Sequence, residues 1–113
     1  MIQPQAWKVF GSHIHQDFLL EYPQFFEGLS MVYRCLKEPE QRALLAYLTQ
    51  LTNESIDPSV KAKAWAESGS EILIAVSQVD EFLLQVLAAL QAAEHERSGG
   101  SPGAPFRRPS QQG

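Results

Sequence analysis

The densest chemistry in the chain lies in residues 10–18, Phe-Gly-Ser-His-Ile-His-Gln-Asp-Phe, where two histidines, a glutamine and an aspartate stand between aromatic residues. His13 and His15 are candidate metal ligands, but they are only two residues apart. That spacing puts both rings on one side of a strand, whereas helical metal sites use ligands three or four apart. The third histidine, His95, is far along the chain, and a single cysteine, Cys35, makes a CxxC pair impossible. His15 with Asp17 suggests a general-base dyad, which would still need a nucleophile. Ser12 and Cys35 are on offer, and neither sits in a recognisable nucleophile turn. Ser12 reads as a helix-surface hydroxyl and Cys35 as a small apolar filler at a helix edge. The residues therefore predict no metal, no cofactor and no enzyme.

The elements that position these residues follow from apolar spacing. Trp7, Phe10, Ile14 and Phe18 fall on one helical stripe, which predicts a first helix over residues 4–18. Gly11 lies in that stripe, where it permits close approach of another backbone. On such a helix His15 and Asp17 flank the stripe on opposite sides and Gln16 points away. Tyr22-Pro23 opens a second helix with Phe25, Phe26, Leu29, Val32, Tyr33 and Leu36 on its face and Gly28 and Ser30 off it. Pro39, flanked by Glu38 and Glu40, opens a third with Leu44, Tyr47, Leu48 and Leu51 as its stripe. Asp57-Pro58 is a cap followed by proline at the first helical position, and Val60, Ala64 and Trp65 carry the apolar content of that fourth helix. Ser68-Gly69-Ser70 ends it, Gly69 being suited to a left-handed cap. Residues 71–76 fit either a short extended piece or the first turns of a long helix, since Ile72, Val76, Val79, Leu83, Val86 and Leu90 keep helical spacing. Ser77 with Asp80 resembles a capping pair, which favours a loop or extended stretch followed by a last helix over about 78–95.

Five helices with short connections predict an all-α bundle spanning residues 1–97. Residues 98–113 are rich in Gly, Pro, Ser, Gln and Arg, a composition that predicts a disordered tail. Residues 1–97 hold seven Lys or Arg against thirteen Asp or Glu, a net of −6. An acidic body of that kind is unsuited to binding nucleic acid directly and suited to a basic partner. No apolar stretch reaches membrane-spanning length, and the start shows no basic region followed by an apolar run. These features predict a soluble cytoplasmic protein that does not engage a membrane.

The run Phe10, Gly11, His15, Gln16, Asp17 and Phe18 near the start, with Trp65, Ser68 and Gly69 before a final apolar helix, resembles the small helical immunity proteins of bacterial contact-dependent growth inhibition and related polymorphic toxin systems. The resemblance covers most of residues 5–92. It departs from the family pattern at His13-Ile14, where an aromatic residue would directly precede the histidine. The resemblance implies a binding protein that holds a cognate toxin C-terminal domain, commonly a nuclease, in an inactive complex. It also implies that the shared residues hold the fold. The acidic side chains Asp17, Glu21, Glu67 and Glu71 are then candidates to face the toxin. The alternative is a helical adaptor or regulatory interaction domain unrelated to toxins; a metal-dependent enzyme using His13, His15 and Asp17 is the third reading.

Overall fold

A computed structural model describes residues 2–99, which form six α-helices: α1 (Gln5–Ser12), α2 (Phe18–Glu21), α3 (Phe25–Cys35), α4 (Glu38–Leu51), α5 (Pro58–Glu67) and α6 (Val76–Gly99). No strand occurs among the described residues. The fold is all-α, as the apolar spacing predicts. The extra helix arises because the expected first helix is broken. α1 stops at Ser12, residues 13–17 make turns, and α2 is a separate short helix. The whole stripe of Trp7, Phe10, Ile14 and Phe18 is nevertheless buried. The stripe's burial is satisfied by a helix and a turn together, so its spacing does not require one continuous helix.

Helices with strong end signals form where those signals lie. Pro39 sits in the first turn of α4, where its missing N–H is harmless, and the Glu40 carboxylate accepts the Lys37 N–H at 3.1 Å. Asp57 caps α5 by accepting the Ser59 N–H at 2.8 Å, and Pro58 follows at the first helical position. Gly69, at φ +93°, takes the left-handed conformation that ends α5. Residues 71–75 are non-helical, as expected, and α6 then runs from Val76 to Gly99, starting before Ser77 and ending beyond the expected residue 95. The bulk of the expected disordered segment lies outside the described residues; the backbone of residues 98 and 99 continues α6.

α6 is the central element, packing against α3, α4 and α5, while α1 packs on α4 and α2 on α3. α3 and α6 run side by side in the same direction. Ser30 Oγ reaches the Ala89 carbonyl at 3.3 Å, the Tyr33 hydroxyl reaches Glu94 at 2.6 Å, and Arg34 reaches Glu96, so the contacts advance together along both helices. One face of α6 is buried through Val79, Leu83, Val86, Leu90 and Ala93. Rings form a continuous path through the core: Tyr47 to Trp7 at 5.0 Å, Trp7 to Trp65 at 5.9 Å, Trp65 to Phe82 at 4.9 Å, Phe82 to Phe25 at 5.9 Å and Phe25 to Phe18 at 5.7 Å. Of these, Trp7, Trp65, Phe18 and Tyr47 are buried, and full burial of a large apolar side chain contributes about 1.5–3 kcal/mol; Phe25 and Phe82 are partly buried.

Three further expectations are corrected. Gly28 is buried on the inner face of α3, because Tyr22 and Phe18 curl over it; an added Cβ would lie 2.6 Å from Tyr22 Cβ. Cys35 ends α3 exposed, so it fills no space in the core. On α5, Val60 is half exposed, and Lys61 is buried in its place with its ammonium 2.5 Å from Asp80 on α6. A lysine stem is apolar enough to lie in a core provided its charge is met.

Candidate functional site

The residues of the two motif segments meet at one junction. α1 carries Gly11 on its buried side, and the end of α5 brings Ser68 against it. A Cβ on Gly11 would lie 2.3 Å from both the carbonyl oxygen and the hydroxyl of Ser68, so only glycine allows this approach. The Ser68 hydroxyl donates to the Trp65 carbonyl at 2.6 Å and so stays within its own helix end. Beyond Gly69 the chain turns back along residues 14–16. The Glu71 N–H donates to the Ile14 carbonyl at 2.8 Å, and the Glu71 carboxylate accepts the Gln16 N–H at 2.9 Å. One residue thereby satisfies two backbone groups left without partners by the end of α1.

The two tryptophans complete the joint. Trp7 Nε1–H donates to the Ala64 carbonyl at 2.8 Å, and Trp65 Nε1–H donates to the Ile72 carbonyl at 2.6 Å. Buried Ser70 donates to the same Ile72 carbonyl at 3.0 Å and accepts the Ile72 N–H at 3.1 Å. Phe10, Gly11, Phe18, Trp65 and Ser68 are all buried, and Gly69 is the left-handed turn that allows the return. No signal in the sequence assigned Glu71 to this joint, because its partners lie 55 residues away.

The histidines have other tasks than those their residue types suggest. His13 Nδ1 lies 2.8 Å from the Val9 carbonyl, so that nitrogen carries the proton. His15 Nδ1 accepts the Asp17 N–H at 3.2 Å, which leaves the proton on Nε2, 3.6 Å from the Glu21 carboxylate. His15 therefore meets the backbone of Asp17 rather than its carboxylate, and the supposed dyad is a turn. The Asp17 side chain makes no cap to α2. The Ser12 hydroxyl donates to the Val9 carbonyl at 2.8 Å, as a surface hydroxyl on a helix does. Among the described residues, no group of three or more His, Cys, Asp or Glu is placed to hold a metal ion.

The four acidic candidates are all exposed and fall into distinct environments. Glu71 is tied to the joint, and Glu21 faces His15. Glu67 accepts from Gln3 Nε2 at 2.7 Å beside Tyr47. Burial pushes the Tyr47 phenol above its ordinary pKa; the Gln3 hydrogen bond works against this, and the nearby Glu67 charge adds to it. No described helix is long and apolar enough to cross a membrane. Comparison with family models, curated proteins and solved structures finds no match.

Proposed function

We propose that this chain is an immunity protein that binds a cognate bacterial toxin domain, of the nuclease class, and holds it inactive by stoichiometric complex formation in the cytoplasm. The observation that carries the reading is the joint at Gly11 and Ser68. The motif residues come from two segments almost fifty positions apart, and they meet through Gly11 and Ser68, which lie against each other. That is the behaviour expected of a fold signature, and it supports the resemblance to the immunity proteins on which the function rests. The joint engages Gly11, Trp65, Ser68, Gly69 and the backbone of Gln16, which supports a fold-holding role for these residues and leaves toxin recognition to the exposed surface, the Asp17 side chain included. Of the four acidic candidates, Asp17, Glu21 and Glu67 are free of backbone duties and are the better toxin-facing positions; Glu71 belongs first to the joint.

Co-expression with the C-terminal domain of a toxin encoded by the neighbouring gene tests the proposal. The expected result is restored growth and a 1:1 complex, with rescue reduced when Asp17, Glu21 and Glu67 are changed together to lysine. A toxic neighbour that is not neutralised, or a neighbourhood without a toxin gene, overturns it. An adaptor unrelated to toxins is the second reading, favoured by the exposed apolar side chains Leu19, Leu20 and Leu73. A regulatory or metabolic neighbourhood would select it.

A further inference from the structure

An apolar groove of about 290 Å³ opens where α2, the start of α3, residues 72–74 and the start of α6 meet. Its lining is Leu19, Phe25, Phe26, Ile72, Ile74 and Phe82. Leu19 is 49% exposed, and beside the groove in sequence Leu20 and Leu73 are 81% and 72% exposed. This concentration of uncovered apolar side chains is unlike the isolated exposed residues of an ordinary surface.

The segments that supply the groove lining carry charge of one sign. Glu21, Glu27, Glu71 and Glu81 stand one or two positions from lining residues, and all four are exposed. No Lys or Arg lies within seven positions of any lining residue, and residues 9–33 and 64–96, which supply the whole lining, contain none. Among the described residues, Lys61 and Arg34 reach α6 from other helices, and they are paired with Asp80 and Glu96. Two helix N-termini, those of α3 and α6, open here and could themselves account for nearby carboxylates. Each contributes only about half a positive charge, so the four glutamates leave these segments net negative, with Glu71 held by the Gln16 N–H and Glu21 facing His15.

The geometry points to this groove as the docking site for a basic segment of a partner protein that carries apolar anchors among its Lys or Arg residues. The anchors fill the space between Leu19, Ile74 and Phe82, and the cations meet the glutamate rim. This specifies the binding surface of the interaction proposed above and rests on that reading for the partner's biological identity, but not for the binding chemistry. The chain's own Phe106-Arg107-Arg108 has suitable chemistry. However, the seven residues from Gly99 to Phe106 reach about 25 Å when fully extended. α6 rises about 26 Å between Phe82 and Gly99. That leaves no backbone length for the chain to turn round the helix end, which disfavours the Phe106 segment and leaves a basic segment of another protein as the proposed occupant.

The test is a titration of the full-length protein with a synthetic amphipathic leucine–lysine peptide, followed by amide and methyl NMR. The control is the same peptide with every lysine replaced by glutamate. Shifts centred on Leu19, Phe25, Ile74 and Phe82, binding that weakens with salt, and no binding of the glutamate peptide are expected. The double variant Leu19→Ser with Ile74→Ser should lose affinity about tenfold or more. Glu27→Gln with Glu81→Gln, which leaves the apolar lining intact, should weaken binding and flatten its salt dependence. Shifts mapping elsewhere, equal binding of the glutamate peptide, or groove signals that move on Phe106→Ala in the full chain overturn the proposal. So does self-association through the groove. Groove binding without toxin neutralisation would sink the immunity reading alone. Neutralisation undiminished in the Leu19/Ile74 variant, with no peptide binding, would sink the groove alone.

Discussion

Gly11 illustrates what a single position controls in this protein. A methyl group there would meet the Ser68 carbonyl oxygen as well as its hydroxyl at 2.3 Å, and a backbone oxygen cannot rotate away. Gly11→Ala gains about 1 kcal/mol of helix propensity. The forced separation of α1 from the end of α5 costs about 1–3 kcal/mol and sits toward the top of that range, because one contact is with backbone and the other with a hydroxyl already held by the Trp65 carbonyl. The expected outcome is a net loss of about 1–2 kcal/mol in urea unfolding. Ser68→Gly in the same background should recover part of it, since the carbonyl remains. The sequence predicts that another backbone approaches Gly11, because glycine in an apolar stripe has that use. The identity of the approaching segment lies 57 residues away and is not legible locally. His15 shows the complementary error. Helical spacing predicts that His15 and Asp17 lie on opposite sides of a continuous helix, whereas the chain turns there and the His15 ring nitrogen accepts the Asp17 N–H.

The helices divide by how their ends are encoded. α4 and α5 begin where proline and capping residues stand, and both were legible almost to the residue because those signals are local and chemically specific. Asp57 is held below its ordinary pKa by the hydroxyl and N–H of Ser59. A lowered folded-state value means that the carboxylate's contribution is present above the unfolded value of 3.8 and is lost as pH falls through the folded one. Asp57→Ala should therefore lower the thermal midpoint at neutral pH, and the gap to the parent should close in acid. Asp57→Asn, whose amide oxygen still caps, should retain most of the stability at both pH values. The break between α1 and α2 has no such local mark. It exists because Glu71 supplies the hydrogen bonds that an unbroken helix would have made within itself. A pattern of apolar residues at helical spacing cannot reveal a competitor from another part of the chain.

Across the molecule, the fold class was legible because each segment has one apolar face and no segment alternates as a strand would. Which polar residues the core would admit was not, because admission depends on a partner across helices. Lys61 replaces Val60 as the inward residue of α5 because Asp80 waits on α6. Asp80→Ala should strand the buried ammonium and cost about 2 kcal/mol, less than for a fully enclosed pair because Asp80 is 55% exposed. Lys61→Met should cost clearly less, since it fills similar volume with no charge to compensate; equal losses in chemical denaturation would refute the assignment. The joint around Glu71 also orders events in time. Glu71 follows Gln16 by 55 positions, and Trp7 precedes its acceptor Ala64 by 57. At about 5–20 residues per second of synthesis, the turn at His15 waits about 3–11 seconds for the segment that defines it. α4, with Tyr47 for Trp7 to pack on, arrives within that interval, so the apolar face of the newborn α1 is first bare and then only partly covered. The joint therefore closes late in synthesis, and a chaperone that shields apolar segments would find its opening before that closure.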